Sequence, residues 1–147
     1  MKIRIGDFER YGTKKTTDGM MFTFAFFTEE DCAICLYDRK NKTLIEEVTL
    51  PDVYRIGQVY SVELMGSKWE RYCYRIRQGK QLYVDPYATS IAGREVWNDT
   101  MRFGQDDGCY GAFDVTYELP AQRGRWIEAQ DMVMYKLHMR GFTMQHG

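Results

Sequence analysis

What most constrains this chain is its punctuation. Met20 to Phe27, Cys32 to Tyr37, Val59 to Leu64, Arg71 to Arg77 and Gln81 to Val84 are short β-rich runs divided by clusters of Gly, Asp, Asn or Lys. Such runs fold as strands, along which successive side chains point to opposite faces. In the third run Val59, Ser61 and Glu63 therefore oppose Tyr60, Val62 and Leu64, which predicts a sheet with one wet face. In the fourth, Tyr72, Tyr74 and Ile76 oppose Cys73, Arg75 and Arg77, and Gln78-Gly79-Lys80 reads as a turn. Thr43 to Leu50 also reads as a strand, although Leu44, Ile45 and Val48 fit a helical face as well. Neighbouring runs are expected to pair as antiparallel hairpins. The predicted fold is all-β, an Ig-like antiparallel β-sandwich over residues 1–90, its strands running from about Gly12 to Tyr87. Phe22, Phe24, Ile34, Leu36, Val62, Tyr72 and Tyr74 should lie inside.

After Asp85-Pro86 the texture changes. Proline fixes φ and the Asp side chain can accept backbone N–H groups, so the pair reads as a turn that ends the last strand rather than as a catalytic acid. Residues 91–130 mix Gly, Asp and scattered aromatics and read as an irregular C-terminal extension of the sandwich, a linker pinned by Trp97 and Trp126. Met132-Val133-Met134-Tyr135-Lys136-Leu137 then reads as one more strand, apolar on both faces as in a buried parallel sheet.

Charge and cysteine content remove several classes of function. With 20 Lys+Arg against 21 Asp+Glu the 147-residue chain carries a formal charge of -1, so no one-signed field points to nucleic acid or an anionic membrane. At 44% hydrophobic and 15% aromatic it can fill a core. No apolar run reaches the roughly 20 residues of a membrane span, and Met1-Lys2-Ile3-Arg4-Ile5 alternates where a secretory leader would be uniformly apolar. A cytoplasmic location is expected. Cys32 and Cys35 have the spacing of a metal knuckle, but three positions apart on a strand they face opposite sides; free thiols are expected, with no metal and no cofactor. His138, at the end of an apolar run, reads as a satisfied core residue rather than a base.

Four blocks carry a family resemblance. Gly19-Met20-Met21-Phe22-Thr23-Phe24, Cys32-Ala33-Ile34-Cys35-Leu36-Tyr37-Asp38, Tyr72-Cys73-Tyr74-Arg75-Ile76 and Val84-Asp85-Pro86-Tyr87-Ala88, in that order, resemble the amino-terminal sandwich of isoamylase- and pullulanase-type enzymes, a module grouped with the family 48 carbohydrate-binding modules. Val133 to Thr143 looks like the first barrel strand of glycoside hydrolase family 13, making residues 131–147 the start of a (β/α)8 barrel. Arg140-Gly141-Phe142-Thr143 is similar to the debranching branch of that family; Phe113-Asp114-Val115 stands where that branch commonly has Phe-Asp-Trp.

The resemblance implies an α-glucan substrate and α-1,6-glucosidic hydrolysis in a longer protein. A complete barrel needs at least about 200 residues, and the family's carboxylates lie at later barrel strands, in keeping with two-carboxylate chemistry. The chain is thus expected to be a non-catalytic leading portion that packs beside its own catalytic barrel, with no catalytic residue of its own. The alternative is a stand-alone carbohydrate-binding or scaffold sandwich. Sugar binding uses aromatic faces stacked on pyranose rings, and the candidates are Tyr60, Trp69 and Trp97. Glucan-binding relatives carry Lys where this chain has Cys73 and Trp where it has Leu82, which implies little or no glucan affinity for the sandwich.

Overall fold

A computed structural model describes residues 1–27, 29–94, 108–113, 127–138, 141 and 144. Eleven strands are present among them: β1 (Ile3–Ile5), β2 (Gly12–Lys15), β3 (Gly19–Ala25), β4 (Cys32–Asp38), β5 (Leu44–Leu50), β6 (Arg55–Ile56), β7 (Val59–Met65), β8 (Tyr72–Gln78), β9 (Gln81–Tyr83), β10 (Ser90–Ala92) and β11 (Tyr110–Ala112). All pairings are antiparallel. One sheet runs β1-β7-β3-β2 with β6 also on β7, and the other runs β10-β11-β8-β4-β5 with β9 also on β8. The protein is a β-sandwich. Thr43 to Leu50 is a strand as expected, paired with β4. No described helix is long and apolar enough to cross a membrane.

Consecutive strands do not always pair. β4–β5 and β8–β9 are hairpins, but β3 pairs with β7 and β4 with β8, because the chain changes sheet between β3 and β4, returns between β5 and β6, and changes again between β7 and β8. This exchange brings the inward faces together. Phe22, Phe24, Ile34, Leu36, Val62 and Tyr74 are all buried in one cluster, and Tyr72 packs against it. Cys32 lies in that cluster and Cys35 in a separate one on the outer face of its sheet, so the two thiols do diverge. All four cysteines are free.

Several expectations need correction. The face of β7 bearing Ser61 and Glu63 is not wet, because the amino-terminal segment folds across it. Gly6 donates its N–H to the Ser61 carbonyl at 2.9 Å, Ser61 Oγ shares a 2.8 Å hydrogen bond with Thr23, and Glu63 is held by Arg4 and Thr16. The second correction concerns the boundary near residue 90. β10 and β11 extend the second sheet, β11 pairing with β8 through Gly111 to Tyr74 and Ala112 to Cys73, and Phe113 enters the main core. The compact unit accordingly runs Met1–Tyr117, with Glu118–Gly147 a second unit. A chain ending after Gln122 should keep its sandwich. An unfolded far-ultraviolet circular dichroism spectrum for that shortened chain would show that later residues belong to the core.

Within the second unit, Met132 to Leu137 is not a strand. Its apolar side chains are exposed, from 49% at Leu137 to 84% at Tyr135, and no described strand pairs with it. A strand covered on both faces requires neighbours on both sides; apolarity alone does not supply them. His138 is likewise exposed, and its Nδ1 accepts the Gly141 N–H at 3.2 Å.

Candidate functional site, an aromatic groove at the end of the sandwich

Two of the three aromatic candidates are core residues. Tyr60 is 2% and Trp69 3% exposed. The Tyr60 ring stacks on Phe24 at 6.0 Å and meets Phe26 edge-on at 5.3 Å, while its hydroxyl donates to Asp52 Oδ1 at 2.8 Å. Trp69 lies among Phe22, Tyr72 and Phe113 and donates its indole N–H to the Gly66 carbonyl at 3.1 Å. Neither ring offers a face to a sugar. Trp97 and the Arg140, Phe142 and Thr143 positions lie outside the described residues.

The strand pair bearing Cys73 and Leu82 is closed at Cys73. This residue is fully buried in an outer-face cluster with Cys35, Tyr37, Ala92, Tyr110 and Ala112. Tyr37 and Tyr110 pack edge-on at 4.9 Å, and Arg75 sits over the Tyr110 ring at 4.1 Å while its Nε donates to the Cys109 carbonyl at 2.8 Å. Burial pushes the Cys35 thiol up to about 11 and the Cys32 thiol up to about 12, so neither is a ready nucleophile.

A concavity of about 750 Å³ opens elsewhere, where the ends of β3 and β7 diverge from β8 and β9. Its walls carry four partly exposed aromatics: Tyr11 at 41%, Tyr83 at 43%, Tyr87 at 53% and Phe27 at 73%. Tyr11 and Tyr87 stack with centroids 4.8 Å apart and planes 20° apart. Gly12 makes that approach possible. Its φ is +89°, and a Cβ there would stand 2.3 Å from the Tyr87 carbonyl oxygen.

Below the stack the Asp85-Pro86 turn is held as anticipated, by side-chain capture of backbone. Asp85 Oδ1 accepts the Tyr87 N–H at 2.8 Å, Oδ2 accepts the Tyr74 hydroxyl at 2.7 Å, and the Asp85 carbonyl accepts the Ala88 N–H at 3.1 Å. Burial, the dominant influence, holds this carboxyl above the ordinary carboxylate value. With every oxygen committed, Asp85 positions the wall and is no acid catalyst.

No family model matches the chain. It is 27% identical over 157 aligned positions to isoamylase 1, chloroplastic, of Arabidopsis thaliana, covering 90% of this chain and 20% of that protein. It is also 27% identical over 154 positions to the glycogen debranching enzyme of Yersinia enterocolitica, covering 88% of this chain and 22% of the relative. Its homologues are isoamylase and glycogen debranching enzyme. The chain spans about a fifth of the length of these relatives. In three dimensions the sandwich superimposes on the group B Streptococcus pullulanase SAP solved with maltotetraose, at a TM-score of 0.56 and 19% identity over 71% of this chain and 14% of that one. The catalytic module of the glycogen-degrading pneumococcal virulence factor SpuA gives 0.53 and 20% identity over 71% of this chain and 16% of the other. At such identities the likeness is one of fold: a β-sandwich shared with these proteins.

Sequence reading passed over the groove because its four aromatics come from separate turns and strand ends. Tyr11 before a turn glycine and Tyr87 after an Asp-Pro turn carry a local signal: both follow or precede backbone that projects a side chain outward.

Proposed function

We propose that this chain is the amino-terminal portion of an enzyme that hydrolyses α-1,6-glucosidic branch points in α-glucans. The sandwich braces the catalytic barrel, helps shape the substrate cleft and supplies no catalytic carboxylate. The observation that carries this reading is the match of nine-tenths of the chain to isoamylase and glycogen debranching enzyme. The site geometry agrees with it: the buried acid nearest the groove, Asp85, is spent on a turn and on Tyr74. General acid catalysis would need a carboxyl free to reach the glycosidic oxygen, with a second carboxyl across the bond.

The experiment is activity of the whole enzyme on pullulan and on glycogen beside an α-1,4-linked linear glucan. Release of α-1,6-linked chains is expected, and the isolated 147-residue chain should release no reducing ends from any of the three. Turnover by the isolated chain would overturn its non-catalytic role, and a whole enzyme that only transfers α-1,4 chains to make new branches would overturn the debranching assignment.

A further inference from the structure

Resting on that reading, we propose that the groove walled by Tyr11, Phe27, Tyr83 and Tyr87 is a glucan-holding site of its own, distinct from the strand pair at Cys73 and Leu82. Strand register separates the two. In the β8–β9 hairpin Tyr83 stands opposite Ile76 and Leu82 opposite Arg77. Ile76 belongs to the core-facing side, so Tyr83 leans toward the groove and Leu82 toward the other surface of the sheet.

Charge identifies the occupant. Asp, Glu, Lys and Arg make up 28% of this chain, yet among the described residues the only one of them in the groove lining is Asp85, which is 3% exposed and fully hydrogen-bonded. A lining with no accessible formal charge is matched to a neutral ligand; it offers nothing to a phosphate, a carboxylate or a cationic peptide. A glucose ring has apolar C–H faces and hydroxyl-bearing edges. The groove has counterparts for both: tyrosine and phenylalanine faces for the first, and Gln58, Gln78 and the tyrosine hydroxyls for the second. The Tyr11–Tyr87 pair is pre-stacked, so little side-chain freedom is lost when a sugar settles on it.

The test is a two-dimensional NMR titration of the 147-residue chain with maltoheptaose, and with cellohexaose as a β-1,4-linked comparison. Maltoheptaose should move the amide signals of Tyr11, Gly12, Gln78, Tyr83 and Tyr87 and saturate. Tyr87→Ala should weaken binding roughly two- to twelvefold, the value of one lost aromatic platform. Tyr83→Ser, at a side chain that no core cluster includes, should weaken it likewise with an unchanged thermal midpoint, so a misfolded Tyr87→Ala protein would not decide the matter. Absence of shifts at millimolar maltoheptaose, shifts confined to the Cys73–Leu82 surface, or equal binding of cellohexaose would each overturn the site. If maltoheptaose fails to bind while the whole enzyme debranches glycogen, the groove proposal falls alone. If it binds and the whole enzyme cannot debranch, the enzymatic reading falls instead.

Discussion

Phe113→Ala should cost the sandwich about 3–5 kcal/mol in urea denaturation, the range for removing a large aromatic from a packed core. The ring is buried between the sheets, stacked on Tyr74 at 5.1 Å and edge-on to Phe22 and Trp69 at 5.6 and 5.4 Å. Against a typical domain stability of about 5–15 kcal/mol that loss would leave a marginal fold. Phe113→Leu should recover part of it. A loss under about 1 kcal/mol for the alanine variant would mean that Phe113 is not sealed in the core and that the unit closes without it.

The second large effect belongs to Asp85. Asp85→Ala strips the Tyr74 hydroxyl of its carboxylate acceptor inside the core and also frees the Tyr87 N–H. Leaving one buried polar group unsatisfied costs about 1–3 kcal/mol, and the turn that sets the Tyr11–Tyr87 stack loosens with it. The pH dependence separates this from simple cavity formation. Burial raises the carboxyl's proton affinity in the folded state, so its contribution favours folding fully below the ordinary Asp value of about 3.9 and declines as pH rises through the raised value. Asp85→Asn should abolish that part of the decline while retaining an oxygen acceptor. Glu63 works in the opposite sense. The Arg4 hydrogen bond, its first cause, holds its pKa down, so its stabilisation is present at neutral pH and lost as acid is added. Urea midpoints measured across the acid range for wild type and Asp85→Asn would expose the difference; parallel curves would sink the Asp85 account.

The strands and their inward faces were readable because period two survives in each run: Phe22 with Phe24, Ile34 with Leu36, and Tyr72, Tyr74 and Ile76. Pairing was not readable, since alternation says which side of a strand is apolar and nothing about which sheet it joins. That is why β3 lies beside β7 rather than β4. The same gap misplaced Tyr60 and Trp69: an aromatic on a strand or its flank looks alike whether its face meets solvent or a second sheet. β10 and β11 escaped notice for another reason. They have three residues each and include small ones, and Gly111 must be small because a Cβ would fall 2.5 Å from the Tyr74 ring. Met132 to Leu137 shows the converse, a strong apolar signal without a described partner.

The arrival of Phe113 between sheets built from Phe22 and Tyr74 has a consequence for how the protein is made. Chains fold from the amino terminus as they leave the ribosome, and contacts between distant positions slow closure. Here the residue that completes the aromatic cluster is synthesised after every other member of it. Until it emerges, the cluster around Phe22, Trp69 and Tyr74 lacks the ring that closes it, so the nascent sandwich reaches its full packing only when this late residue arrives.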